Sequence, residues 1–264
     1  QNKEWDLPSR DKESYSIHAV ENALDVLEAL SEGEDEVRIS QLSEKLAMNK
    51  TSVFRLLATF ESRGYVERDT ESGKYRLGLT AYETAQKFLS KMGLLRHARP
   101  VMDKLARQCN ESVYLTLRHN HDVLFLDKVD VPQQVKIASL SGKRFPLETT
   151  AAGQVLLAFN GSAAEASEPL DIADQALPTA QIMTIQKQGY SCGGEALGEG
   201  IVSIAAPLLG TGGVLHGALC LVGPAYRLSD NILHEQVGPN LLEACRIISS
   251  KLGWHTLIPP HSRL

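Results

Sequence analysis

Apolar positions along the chain recur first with a helical period, then with a strand period, and the switch between them marks the architecture. Ile17, Val20, Leu24 and Leu27 share one helical face, and the acidic run EGEDE closes that helix. ISQLSEKLAM predicts a shorter helix with Ser40 as its cap and Leu42 and Leu46 as its buried positions. Asn49 then caps a third helix, in which Val53, Leu56, Leu57 and Phe60 follow an i, i+3, i+4, i+7 stripe and Gly64 supplies the stop. Only MNK separates the second and third helices, so their connection is tight. YVERDTESGKYRLG alternates, predicting two short strands around a TESG turn, with Lys74 and Arg76 on one face and Tyr75 and Leu77 on the other.

The polar side of the third helix carries Thr51, Arg55, Ala58, Thr59 and Ser62, small residues around one long cation. A solvated face would be crowded with Lys and Glu; this one is thinned as if to fit against something. Three helices, the last two tightly joined, followed by a basic hairpin, is the order of a winged helix-turn-helix, whose second joined helix enters the major groove. Arg55 is then the candidate for a bidentate contact with guanine, and Thr51, Ser52 and Thr59 suit phosphates or base edges. Lys50 at the helix start and Lys74 with Arg76 on the wing suit phosphate anchoring. The plain alternative is a small helical domain with a small-residue face and a basic hairpin that bind nothing.

Downstream, LTAYETAQKFLSK suits a linker helix, and RPVMDKLARQCN opens a larger domain with a helix in which Pro100 fits the first turn. SVYLTLRHNHDVLFLDKVD predicts a hairpin, VKIASL a further strand, and TTAAGQVLLAF a helix capped at Thr149 or Thr150. NGSAAEASEPLDIADQALP is a variable loop, and TAQIMTIQKQGY is a helix ending at Gly189. IVSIAAPLLGTGGVLHGALCLVG is a hairpin whose GTGG turn supplies residues with positive φ. The last segment is helical, with a kink or break at Gly238-Pro239. The order predicts an α+β class, an antiparallel sheet with helices packed on it.

A chain of 264 residues fits one large domain or two ordinary ones, and 43% hydrophobic with 22% charged residues is a globular composition. The expected division is a disordered tail (1–15), a winged helix-turn-helix (16–78), a linker helix (79–97) and an effector-binding and oligomerisation domain (98–264). No apolar run approaches the ~20 residues that cross a bilayer, and no signal peptide is read, so no membrane partner and a cytoplasmic location are expected. Cys109, Cys192, Cys220 and Cys245 form no C-x-x-C pair, the usage of free thiols. A net charge of −5 argues against non-specific coating of nucleic acid. Residues 45–76 nevertheless hold seven Lys or Arg against four acids.

ISQLSEKLAMNKTSVFRLLATFESRGYVERDTESGKYRLG resembles the DNA-binding domain of IclR-type bacterial transcription regulators, including the T-S-V-x-R-L-L core at Thr51 to Leu57. GKRFPLETTAAGQVLLAF, GYSCGGEALGEGIVSIAAPLL and GALCLVGPAYRLS resemble the family's pocket helix and late strands, so the likeness runs from about residue 16 to 254. It implies a GAF-like effector domain and a ligand-responsive regulator, a repressor, acting as a homodimer or dimer of dimers on a palindromic double-stranded DNA operator. Carried over by resemblance, the pocket for a small organic effector involves Leu147, Ala152, Gly153, Gly193, Ser203, Cys220 and Val222. The family often has an acid where Gly193 stands, a cysteine at Ser203, and serines at Cys220 and Val222, groups that suit small carboxylates. With those groups missing or softened here, a less charged or more apolar ligand is expected, because a carboxylate buried without donors is costly. Leu115, Phe125 and Ile137 lie on predicted strands that add apolar wall.

Other chemistry is weaker. His119-Asn120-His121 is a solvated turn before it is a metal site, having no thiol or carboxylate partner in sequence. No glycine-rich segment follows the strand–glycine–helix order of a dinucleotide site, and no nucleophile, base and orienter set is present. No cofactor, metal or catalytic residue is therefore assigned. The rival reading is an enzyme or redox sensor with Cys192 as its reactive thiol, although no neighbouring cation would lower that thiol's pKa.

Overall fold

The structure is a computed structural model and describes residues 16–32, 35–160 and 177–254. The expected disordered tail and most of the variable loop lie outside the described residues. The chain divides after Lys91 into two compact units.

The first unit holds α1 (His18–Glu32), α2 (Ile39–Lys45), α3 (Lys50–Ser62), β1 (Val66–Arg68), β2 (Tyr75–Leu77) and α4 (Leu79–Lys91). Val26, Leu30, Leu42, Val53, Leu57, Val66 and Tyr75 form its core. The stripe expected on α1 is not the one buried. Val26, Ala29 and Leu30 face inward, while Ile17, Val20 and Leu24 are 65%, 52% and 52% exposed. α4 buries no side chain. α2 begins two residues earlier than expected, with Arg38 rather than Ser40 at its N-cap. The physical reason is Gln41, whose side-chain oxygen reaches back to accept from the Arg38 amide at 2.8 Å, the reciprocal half of a capping box that fixes the helix start at Ile39.

The turn between α2 and α3 is a Schellman closure. Met48 N donates to Ser43 O at 3.0 Å, Ala47 N donates to Glu44 O, and Ala47 takes φ +52°. Ser43 Oγ also donates to Met48 O, at 2.6 Å. α3 closes in the same way at Gly64 (φ +74°): Tyr65 N donates to Phe60 O and Gly64 N to Glu61 O, and the Phe60 and Tyr65 rings meet edge to face. Asn49 caps its other end by accepting from Ser52 N at 2.8 Å.

The second unit opens with α5 (Gly93–Cys109), followed by β3 (Ser112–His119), β4 (Asp122–Val129), β5 (Arg144–Pro146), α6 (Ala151–Ala158), α7 (Thr179–Gln188), β6 (Ser191–Gly193), β7 (Ile201–Leu209) and β8 (Leu215–Pro224). α8 (Asp230–Ile232), a π turn over Leu233–Val237 and α9 (Gly238–Lys251) complete it. The antiparallel sheet has the order β5-β4-β3-β8-β7-β6. Pro100 lies inside α5 rather than in its first turn. The inward stripe Leu94, Ala98, Val101, Met102 and Leu105 is continuous past it, and Pro100 itself is exposed, so burial on one face overrides the missing hydrogen bond. At Gly238-Pro239 the helix continues: the π turn shifts its register and Pro239 falls in the first turn of α9, where no amide is needed.

Side-chain alternation separates two cores. Val113, Leu115, Ile204, Ala206, Leu208, Leu219 and Leu221 pack against α5 and α9. Tyr114, Phe125, Ala205, Cys220 and Val222 pack under α6. VKIASL is not a strand. Residues 130–143 run as an irregular strap that turns Ile137 and Leu140 into the α6-side core, and β5 takes the sheet-edge position beside β4 instead.

Candidate nucleic-acid interface and effector pocket

α3 presents Lys50, Thr51, Phe54, Arg55 and Thr59 on its exposed side, because Val53 and Leu57 are fully buried on the other. Lys50, Thr51 and Phe54 line an open cleft of about 500 Å3 with Arg38, Ile39 and Ser40 at the start of α2 and Ser72 and Gly73 at the wing tip. Asp69 builds that tip. Its carboxylate accepts from the Ser72 and Glu71 amides and its own amide donates to Lys74 O, while Gly73 takes φ +67°. The hydrogen bonds from Ser72 hold the Asp69 carboxyl below the usual carboxylate range. Ser52 is half-buried, its amide tied to Asn49.

Two of the expected DNA residues are placed less favourably. Arg76 lies 3.1 Å from Glu67 and 3.9 Å from Glu36, and lines a different cleft, between the wing and Leu79, Tyr82 and Ala85 of α4. Thr59 donates its hydroxyl to Arg55 O at 2.9 Å, so in this rotamer it has no proton for a phosphate, which only accepts. Arg38, Phe54 and Ser72 were missed by the sequence reading. Phe54 carried a signal, a large apolar residue off the buried stripe; Arg38 and Ser72 reach the cleft only through the tertiary fold.

The effector-pocket residues fall together with one exception. Phe125, Leu147, Ala152, Cys220 and Val222 are at most 1% exposed in the α6-side core, and Ile137 packs against it from the strap. Leu115 does not join them. It points to the α5/α9 side, and Tyr114, one residue earlier, takes the place expected of it. A single step along a strand reverses the face. Thr150 caps α6, its Oγ1 accepting from Gly153 N at 3.1 Å. Gly153 is required, because a Cβ there would stand 2.1 Å from Leu147 O. Gly193 abuts the first turn of α6, and a Cβ at that position would lie 3.8 Å from Ala151 N. First-turn amides have no acceptor within their own helix, so this is the polar end of the layer. Ser203 is already engaged, donating to Gly193 O at 2.6 Å.

The strap is pinned across this layer. Leu140 N donates to Tyr114 Oη at 3.4 Å, Arg227 donates to Val135 O, and Asp130 meets Ser112, Lys128 and Lys136. The Asp130 carboxyl is lowered to about 2: desolvation by burial pushes the other way, and the bonds and charges of Ser112, Lys128 and Lys136 outweigh it. Arg227 pairs through Nη2 with Glu111 Oε2 at 2.9 Å, and Glu111 is 4% exposed. A space of about 10 Å3, room for one water, lies beside Ile137 and Val222 among these groups.

Cys192 does not support the redox or nucleophile reading. It is part-buried against the α5/α9-side core, whereas Cys220 lies in the opposite core. Burial pushes the Cys192 thiol up to about 11 and the Cys220 thiol up to about 12, far from a thiolate at neutral pH. His119 and His121 flank the exposed β3–β4 turn, where Asn120 takes φ +54°. Among the described residues no group of three or more His, Cys, Asp or Glu could hold a metal ion, and no helix is long and apolar enough to cross a membrane.

Comparison with known proteins agrees with this arrangement. Residues 19–70 match the model of the IclR helix-turn-helix domain, and residues 86–250 match that of the bacterial transcriptional regulator IclR C-terminal domain. The HTH-type transcriptional regulator KdgR of Dickeya chrysanthemi is 33% identical over 258 residues, covering 93% of this chain and 83% of that protein. In fold, the chain is similar to an IclR transcriptional regulator from Alicyclobacillus acidocaldarius, with a TM-score of 0.76 at 21% identity over 90% of this chain and 100% of that one. An IclR homolog from Microbacterium hydrocarbonoxydans, solved with 4-hydroxybenzoate, gives 0.71 at 22% identity over 89% of this chain and 98% of that one. A helix-turn-helix unit and a two-faced antiparallel effector unit, matched in order along nearly the whole chain, make this protein a member of the IclR family: a DNA-binding transcriptional regulator, not an enzyme.

Proposed function

We infer that the protein is a cytoplasmic, dimeric repressor that places α3 of each protomer in successive major grooves of a palindromic operator and responds to a small, weakly charged organic ligand. The observation that carries the DNA reading is the exposed α3 face, small residues around Arg55, opening into a cleft flanked by Arg38 and Lys50. Arg55 is the guanine-reading residue, Thr51 and Ser52 contact the duplex nearby, and Lys50 and Lys74 hold phosphates. Arg76 and Thr59 play lesser parts.

Dimerisation is supported by apolar surface that the first unit leaves uncovered. Ile17 just before α1, Val20 and Leu24 on it, and Leu79, Tyr82 and Phe88 on α4, are each at least half exposed. Two protomers would set two recognition helices about one helical turn apart, demanding paired half-sites. Sedimentation of the full-length protein distinguishes a dimer from a dimer of dimers.

The ligand is placed in the layer between α6 and the sheet, walled by Phe125, Ile137, Leu147, Ala152, Gly153 and Cys220, with Tyr114 in the place first given to Leu115. Its polar end lies at Gly193 and Ser203 against the first turn of α6. Gly193 offers no side chain, and the Ser203 hydroxyl is already donated, so neither position adds a side-chain donor to the first-turn amides of α6 for a compact anion. An aromatic or neutral ligand suits the apolar wall better; the Microbacterium homolog holds an aromatic acid. Entry requires the strap or α6 to move. The ligand controls DNA binding only in so far as it binds the DNA-competent and incompetent states unequally. The test is a thermal-shift screen of aliphatic and hydroxy acids beside neutral aromatics and alcohols, followed by DNA binding with each hit. Stabilisation by aromatic or neutral compounds that also loosens operator binding is expected. Stabilisation by small carboxylates alone would overturn the ligand class, and tighter operator binding with ligand would overturn simple derepression.

A further inference from the structure

The exposed face of α3 has one member that does not belong to the pattern. Between Thr51, Arg55, Ala58 and Thr59 stands Phe54, 49% exposed although the core of its unit lies directly behind the helix. Its neighbours in the core, Val53 and Leu57, are fully buried, so the unit folds without burying this ring. A large aromatic side chain on a face otherwise kept small is a recognition group or a liability. Phe54 shares its cleft with Lys50, Thr51, Arg38 and the wing-tip Ser72 and Gly73, which are cationic or hydrogen-bonding groups suited to a phosphate backbone. The ring is one helical turn after Thr51 and adjacent to Arg55, in the N-terminal half of the helix that reaches base edges.

A duplex presents one apolar group on the floor of its major groove, the 5-methyl of thymine. We propose that Phe54 reads that methyl, fixing a thymine in each operator half-site beside the base pair read by Arg55. The inference rests on α3 being the recognition helix. Phe54 adds a different kind of information from Arg55: it has no hydrogen-bonding group, so it distinguishes thymine from cytosine and uracil by shape alone. A 5-methylcytosine at the same position would satisfy it equally.

The test uses the full-length protein and duplexes it enriches from a random pool. Each thymine of the enriched duplex is replaced in turn by deoxyuridine, which keeps every hydrogen-bonding group and lacks only the methyl. Burying one methyl predicts a loss of about fourfold in affinity at one position per half-site, and about fifteenfold when both half-sites are changed. Phe54→Ala should bind thymine and uracil duplexes alike, Phe54→Leu should keep part of the discrimination, and Arg55→Ala should keep all of it. Because Phe54 is half exposed, both of its variants should match the wild type in sedimentation and melting temperature. Uracil tolerated at every position, or discrimination unchanged in Phe54→Ala, would overturn the proposal while leaving α3 as the recognition helix. A protein that enriches no duplex would overturn both.

Discussion

α3 and α6 carry the two binding surfaces proposed for this protein, and they are built in contrasting ways. Each is capped by a side-chain oxygen, Asn49 for α3 and Thr150 for α6, accepting an amide three residues on. α3 is amphipathic and lies on the surface, so its outward face is free to be shaped for a partner. α6 is apolar nearly all round and at its start packs so closely that only glycine fits at position 153. An exposed face needs no rearrangement to bind, whereas a layer walled by Tyr114, Phe125, Leu147, Ala152 and Cys220, each 0–1% exposed, must open first. The DNA surface is therefore standing, and the ligand surface exists as a state to be populated.

The largest expected effect would break this contrast on the α6 side. Gly153→Val drives branched carbon into Leu147 O, and we expect a loss of about 3 kcal/mol in stability by chemical denaturation, at the upper end of overpacking costs. A loss under about 0.5 kcal/mol would mean that α6 shifts easily and that the layer is open in solution.

On the α3 side, Arg55→Ala should cost about 1–3 kcal/mol of specific operator binding, measured against a scrambled duplex, with the melting temperature unchanged. Equal loss on both duplexes would demote Arg55 to a phosphate contact. The two wing cations sharpen the comparison further. Lys74→Ala should reduce the slope of log affinity against log salt by about one unit. Arg76→Ala should change it less, because Arg76 is already paired with Glu67 at 3.1 Å. If the two slopes move equally, the Glu67 pair breaks on DNA binding, as an exposed pair of small net worth can.

The smallest effect concerns the turn that sets α3 against α2. Ala47 occupies a left-handed position at φ +52°, where an L-residue is strained by about 1–2 kcal/mol. Ala47→Gly should raise stability by about 0.5–1 kcal/mol, part of the relief being offset by a more flexible unfolded chain. A fall in melting temperature would show that the Ala47 methyl makes a favourable contact that outweighs the strain.

The N-terminal helices, the Asn49 cap of α3, the Gly64 stop, the hairpin with its TESG turn and an α6 cap at Thr149 or Thr150 were legible in the sequence, though the α2 cap was not. Each is decided within a few residues by a side chain that satisfies a nearby backbone group or by a glycine that tolerates positive φ. The small-residue face of α3 was legible for the same reason, since helical spacing alone places Thr51, Arg55 and Ala58 together. What the sequence left open was decided by partners far along the chain. The register of β3 against β8 set Tyr114, and not Leu115, opposite Cys220. The strap became irregular because burying Ile137 and Leu140 outweighed the local strand pattern of VKIASL. α5 ran through Pro100 because its inward stripe was continuous, and Arg76 was drawn to Glu67 across the hairpin. Local hydrogen-bond satisfaction is written in neighbouring residues; which face is buried, and which charge is neutralised, follows from contacts that exist only once the distant segments have packed.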